Sequence, residues 1–171
     1  GPKGVGMLLA PEGWNPRPLL EGGGQEMGYR SGTTPLPLIG AMVSALEFTM
    51  ESRDEAFLNR CRGFFRALQE GIPSLSMNGA SDYRAAWIGN IGVGGLRGDA
   101  FARALEAVGV MISMGSACAG QQKKLSRVLD AMKVDGKKGH IRISLNSLQS
   151  EDELRDAATL IIDTYTKYAL V

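Results

Sequence analysis

Between residues 36 and 68, apolar side chains return every three or four positions. Leu36, Ile39, Val43, Leu46 and Met50 come first, followed by Phe57, Cys61, Phe64 and Leu68. That period lines one stripe of a helix. The helix is predicted to bend near Ser52 to Glu55 and to end before Gly71-Ile72-Pro73. The run is far longer than the average of about 11–12 residues, and a helix of this length often joins two domains. Cys61 falls on the stripe and is expected in the core.

Past Pro73 the pattern shortens and alternates. Leu75 to Met77 reads as a short strand and Trp87 to Val93 as a longer one. Asp99 is expected to cap a helix that runs through Val108 and closes at Gly109. Val110 to Ser113 reads as a strand, and Ser126 as the cap of a short helix reaching Met132. In His140 to Leu145, Ile141, Ile143 and Leu145 take one face of a strand, while Arg142 and Ser144 take the other. Ser150 and Glu153 form a capping box for a last helix with the stripe Leu154, Ala157, Ile161, Tyr165 and Tyr168. Strands alternating with helices from about Pro73 onward predict a small α/β or α+β domain. Upstream, Val5 to Leu9 reads as a strand. Pro11–Pro18 and Gly22–Pro37 are rich in turn residues. The second of these holds Arg30, Ser31, Gly32, Thr33 and Thr34, which suit either an ordinary surface loop or a backbone nest for an anion.

Composition narrows the function more than the fold. With 19 Lys+Arg against 18 Asp+Glu, the chain carries no charge excess of the kind that attracts nucleic acid or an acidic membrane surface. A length of 171 residues fits one domain, or one domain and a piece of another. The 44% hydrophobic content is enough to bury a core. Two cysteines are too few for a disulfide scaffold, so a reduced, cytoplasmic protein is expected. No apolar run approaches the ~20 residues of a bilayer span, and no signal-peptide pattern opens the chain. The first residue is glycine rather than methionine. That start fits either a protease scar or a sequence beginning partway through a longer protein.

Few groups can carry chemistry. Gly92, Gly94, Gly95 and Gly98 miss the G-x-G-x-x-G spacing, because Arg97 stands in the third glycine's place, so they read as a turn. Two Cys and one His cannot close a structural zinc site, and no metal is expected. A Ser-His-Asp hydrolase would have to use His140, without a G-x-S-x-G elbow. Arg142 fits either a solvated arginine or a fork for a carboxylate. Cys118 sits in the small-residue stretch Met114-Gly115-Ser116-Ala117-Cys118-Ala119-Gly120, with Lys123 and Lys124 nearby. These residues fit an inert surface thiol and a stabilised thiolate nucleophile equally well.

Taken in order, the motifs resemble the pyridoxal-phosphate (PLP) cysteine desulfurases of the NifS/IscS type, in the class V aminotransferase superfamily. The resemblance rests on Gly1-Pro2-Lys3-Gly4-Val5-Gly6, on Gly22-Gly23-Gly24-Gln25-Glu26 followed by Arg30-Ser31-Gly32-Thr33, on Gly115-Ser116-Ala117-Cys118, and on Ile141-Arg142-Ile143-Ser144. Ser126 with Val128-Leu129 follows the cysteine loop at the family's spacing. The resemblance implies the C-terminal part of a fold type I, aspartate-aminotransferase-like transferase of the α/β class. Residues 1–50 would close its large PLP-binding domain, 51–72 would be the connecting helix, and 73–171 the small α+β domain carrying the cysteine loop.

The resemblance also implies a set of roles. Cys118 would take sulfur from L-cysteine as a persulfide, leaving L-alanine, and Arg142 would hold the substrate's α-carboxylate. Thr33 would reach the PLP phosphate of the partner subunit in a homodimer. A sulfur-acceptor protein would then receive the sulfur for iron–sulfur cluster or other thio-cofactor assembly. Neither nucleic acid nor a membrane is implied as a partner. The family's Schiff-base lysine falls just ahead of Gly1, so Lys3 is not its counterpart, and a complementing N-terminal half is expected to be needed for activity. The sequence departs from the family at Met114, at Thr34-Pro35, at Arg127 and at Asn146, where serine, an x-Asn pair, His or Tyr, and glycine are usual. Two other readings remain: a non-catalytic sulfur-carrier or assembly module, and a class V relative such as a selenocysteine lyase.

Overall fold

The computed structural model describes residues 1–80, 84–114 and 125–169, and the chain divides into two compact units, Gly1–Ser52 and Arg53–Val171. Where one helix bent near Ser52 to Glu55 was predicted there are two, α1 (Leu36–Ser52) and α2 (Glu55–Gly71), divided at the expected bend. The break has a local cause. Asp54 adopts an extended backbone and its side chain accepts a hydrogen bond from the Phe57 amide at 2.8 Å, which starts a new helix.

The first unit consists of irregular chain, a 3-10 turn over Gln25–Gly28, and α1. No strand forms at Val5–Leu9, and Met7, Leu8 and Leu9 are all exposed. Apolar content supplies strand propensity, but a strand also needs a hydrogen-bonding neighbour, and the described residues of this unit provide none. The helical period of α1 is real, yet none of its residues is buried.

The second unit holds the core. Its sheet comprises β1 (Ser76–Asn78), β2 (Ile88–Val93), β3 (Ser113–Met114) and β4 (Gly139–Ser144), in the spatial order β1-β2-β4-β3 with every neighbour antiparallel. Three helices complete it: α3 (Gly98–Glu106), the short α4 (Arg127–Ala131) and α5 (Glu151–Ala169). Phe57, Cys61, Phe64, Phe65 and Leu68 of α2 meet Ile91 and Val93 of β2, Ile141 and Ile143 of β4, Phe101 and Leu105 of α3, and Leu154, Ala158 and Ile161 of α5 in one cluster. Alternation along β4 does the sorting, with Gly139, Ile141 and Ile143 buried while Arg142 and Ser144 are exposed.

Two close approaches fix the layers. A Cβ on Gly89 would lie 2.3 Å from Cε1 of Phe65, so α2 lies directly on β2. A Cβ on Gly139 would lie 2.4 Å from the Leu96 carbonyl oxygen, and one on Gly98 2.8 Å from that of His140, so the start of α3 abuts the backbone of β4.

The caps vary in how they are made. Ser126 accepts from the Leu129 amide at 3.2 Å, as expected. Ser150 and Glu153 exchange both bonds of a capping box, at 2.7 and 3.1 Å. Asp99, expected to cap α3, instead lies inside its first turn. Arg97 occupies the N-cap position without a side-chain cap, and Asp99 pairs with Arg97 at 2.8 Å and Arg103 at 3.0 Å. The inward stripe of α5 runs through Leu154, Ala158, Ile161 and Thr164, which leaves Tyr168 exposed.

Candidate functional site

The helices cover one face of the sheet, and the other face is mainly polar, with the exposed Ile88 at its end. Strand parity and register place Ser76 and Asn78 of β1, Asn90 of β2, His140, Arg142 and Ser144 of β4, and Ser113 of β3 on it. Arg142 is exposed and stands directly across from Asn90 on one side and Ser113 on the other. Its guanidinium makes no hydrogen bond or ion pair among the described residues. It is therefore a cation on a rigid strand, held from behind by buried Ile141 and Ile143 and open to a ligand in front.

Beside it lies a hydrogen-bonded amide and imidazole cluster. Asn78 Nδ2 lies 2.6 Å from Asn90 Oδ1 and 2.9 Å from His140 Nδ1, and His140 Nε2 lies 2.9 Å from the Asp135 carbonyl oxygen. Lys138 donates to the Ser74 carbonyl at 3.0 Å and to Ser76 Oγ at 3.1 Å. Both ring nitrogens of His140 are thus occupied by an amide and a carbonyl, with no serine or aspartate side chain among their partners. The Ser-His-Asp idea finds no geometry here.

Sequence reasoning singled out Arg142 but missed Asn78 and Asn90. A signal existed in the alternation of Ile88 to Val93, where Asn90 takes the polar parity. Its partnership with Arg142, however, depends on pairing across more than fifty residues of chain, which no local pattern states.

Cys118 lies outside the described residues. The chain enters that segment from Met114, whose β3 neighbour Ser113 pairs with Arg142, and resumes at Leu125 just before the Ser126 cap. Cys61, by contrast, is fully buried, and burial raises its thiol above the ordinary value against the lowering effect of Arg60 and Arg62.

In the first unit Thr33 is exposed, and among the described residues neither its hydroxyl nor its amide has a partner. Its surroundings are tied down: Ser31 Oγ donates within reach of the Leu20 and Glu21 carbonyls at 3.1 and 3.2 Å, and the Gly32 amide donates to Gln25 Oε1 at 3.3 Å. Glu26 and Met27 take left-handed backbone angles, with φ of 50° and 55°. The amides opening α1 are already used, since Leu36 bonds to the Thr34 carbonyl and Leu38 and Ile39 to that of Pro35. Among the described residues Thr33 thus has a hydroxyl free to donate to a phosphate oxygen, and it is not part of a helix-end cradle.

One departure from the family pattern has a structural account. Asn146, where glycine is usual, accepts from the Leu148 amide at 3.0 Å through its side chain, and its own amide donates to Gln149 Oε1 at 2.7 Å. It thus turns the chain between β4 and α5 with its own carboxamide.

The class-V aminotransferase family matches residues 1–156, and the chain belongs to that family. Within it, the chain is 34% identical to cysteine desulfurase IscS of Rickettsia bellii over 98% of its own length and 42% of the relative's. It is 35% identical to a cysteine desulfurase of Bradyrhizobium diazoefficiens over 98% of its length and 44% of the relative's. A solved NifS-like protein superimposes with a TM-score of 0.73 at 26% identity, covering 91% of this chain and 40% of its own. A NifS-like protein from Rickettsia africae ESF-5 shares the fold with a TM-score of 0.70 at 21% identity, over 90% of this chain and 41% of its own. The chain therefore spans less than half the length of these relatives. Among the described residues no helix is long and apolar enough to cross a membrane, and no cluster of His, Cys, Asp and Glu could hold a metal ion.

Proposed function

We propose that this chain is the C-terminal part of a PLP-dependent cysteine desulfurase, which moves sulfur from L-cysteine onto Cys118. The observation that carries the reading is Arg142, a guanidinium without a partner among the described residues, on the exposed face of the sheet and on the strand next to the one that leads into the cysteine segment. Residues 1–50 would belong to the large PLP domain, 51–72 to the connecting helix and 73–171 to the small domain. PLP, when bound, supplies the electron sink that allows the substrate's carbon–sulfur bond to break.

This chain's residues would do the rest. Arg142 binds the α-carboxylate as a bidentate fork, which sets the substrate's orientation. The Cys118 thiolate attacks the substrate sulfur and forms a sulfur–sulfur bond, while the electron pair of the broken bond stays with the substrate carbon. The resulting persulfide is the form in which sulfur passes to an acceptor protein. Thr33 would hold the PLP phosphate of the partner subunit in a homodimer through its hydroxyl. The similarity to the cysteine desulfurases of Rickettsia bellii and Bradyrhizobium diazoefficiens supports the substrate.

The test uses the full-length protein loaded with PLP. Cys118→Ala is expected to keep the cofactor's absorbance and to lose both alanine formation and the added mass of one sulfur atom on the chain. Normal turnover by that variant would remove Cys118 from the mechanism. A persulfide carrier without desulfurase activity would instead accept sulfur from a separate donor and form no alanine from cysteine.

A further inference from the structure

The orientation of one side-chain amide on the polar face follows from a chain of hydrogen bonds that begins at a backbone carbonyl. His140 Nε2 lies 2.9 Å from the Asp135 carbonyl oxygen, which can only accept, so Nε2 carries the proton. In the neutral ring Nδ1 is then an acceptor. The Asn78 group 2.9 Å away must be its NH2, and the second proton of that NH2 goes to Asn90 at 2.6 Å. Asn90 therefore receives this bond on Oδ1. Its own NH2, the other branch of the planar amide, is left without a partner among the described residues. Asn90 is half-buried and stands directly opposite Arg142 on the same face, where facing Cβ atoms lie about 4.5–5.5 Å apart. Two donor groups, a guanidinium and an amide NH2, thus stand on facing positions of one sheet face, and neither has an acceptor among the described residues.

We infer that Asn90 is a second binding residue for the substrate carboxylate. Its NH2 donates to one carboxylate oxygen while Arg142 holds the other, and Asn78 and His140 act as positioning residues that keep the NH2 side turned outward. The inference rests on the desulfurase reading given above. The pair acts as a filter, because a ligand with amine and thiol but no carboxylate leaves both donors unsatisfied.

The experiment is run on the full-length, PLP-loaded protein with L-cysteine as substrate and cysteamine, which lacks the carboxylate, as competitive inhibitor. Asn90→Asp keeps the oxygen that Asn78 needs and replaces the outward donor with a repelling oxygen. It is expected to raise KM for cysteine about tenfold to a hundredfold, the usual worth of a hydrogen bond to a charged group, with a much smaller fall in kcat. The inhibition constant of cysteamine is expected to stay within about twofold, a pattern that general damage to the fold would not produce. Arg142→Ala should show the same split. Should Arg142→Ala raise KM while Asn90→Asp does not, the role of Asn90 is overturned and the desulfurase reading stands. Should neither variant raise KM, the carboxylate site itself is misplaced.

A second measurement does not depend on turnover. A long-range proton–nitrogen spectrum of the neutral His140 ring in the 171-residue chain is expected to show the proton on Nε2 and none on Nδ1. A protonated Nδ1 there would reverse both amides and overturn the inference.

Discussion

Gly89 is the position where the packing behind the site can be tested most sharply. Its replacement by alanine introduces a single methyl group 2.3 Å from Cε1 and 2.7 Å from Cζ of Phe65, and 3.1 Å from Cε of Met77. Carbon atoms pack at about 3.5–4.0 Å, so the Phe65 ring has to retreat by roughly 1 Å or more. It has nowhere to go cheaply. Phe65 is only 4% exposed and meets Phe64 edge-on at 5.2 Å between ring centroids. Overpacking of this kind costs about 1–3 kcal/mol, and in a domain of this size each kcal/mol lowers Tm by roughly 4 °C. Gly89→Ala should therefore melt about 4–12 °C below the unaltered chain in differential scanning calorimetry. Phe65→Leu removes the clashing atoms, so the double variant should lose less stability than the two single changes added together, by ~0.5–3 kcal/mol. Strict additivity, or an unchanged Tm for Gly89→Ala alone, would refute the claim that α2 lies directly on β2. Any shift of β2 that relieves the clash would also move Asn90, the next residue, so the same variant should weaken carboxylate binding.

Other outcomes follow from local features. Ser150→Ala removes one half of the capping box of α5 and should cost about 1 kcal/mol in urea unfolding, read from the midpoint at unchanged slope. Cys61 should resist a thiol-specific alkylating reagent in the folded chain and react fully in denaturant, since burial both hides the thiol and disfavours its thiolate; labelling at equal rates in the two states would contradict its placement. The Arg97 side chain, hydrogen-bonded to Asp99, holds that carboxyl below its ordinary value against an opposing desolvation, with Arg103 adding to the lowering. A carboxyl lowered in the folded state contributes stability above its unfolded value and loses that contribution as pH falls through the folded one. Asp99→Asn should therefore destabilise the chain slightly at neutral pH and not at all well below pH ~4. A penalty that persists in acid would mean Asp99 works by another route.

Local chemistry was legible in the sequence, and long-range pairing was not. The box at Ser150 and Glu153 and the cap at Ser126 formed because each needs only residues three apart. The parity of Ile141, Arg142 and Ile143 likewise survived, since a strand alternates wherever it pairs. Asp99 failed as a cap because Arg97 and Arg103 offered its carboxylate stronger, charged partners than a backbone amide. The apolar run at Val5–Leu9 lacked a neighbouring strand among the described residues, and propensity cannot supply one. Cys118 was marked by motif resemblance alone, since its residues fit an inert thiol as well. Arg142 was marked by parity and resemblance together. Asn90 stayed hidden because its significance depends on two facing strands and on the tautomer of a histidine fifty residues away.

The strand order has a consequence for how the chain is made. β4 lies at the centre of the sheet between β2 and β3, yet it is the last strand in sequence. As the polypeptide leaves the ribosome, β1 and β2 can pair early, but the inner edge of β2 stays open until residues 139–144 emerge. That edge carries Ile91 and Val93, which are fully buried once the sheet is complete. A pause or premature stop between β3 and β4 would leave an unpaired apolar edge on a nascent chain, the usual starting point for aggregation. The strand that bears Arg142 is thus also the one that closes this edge.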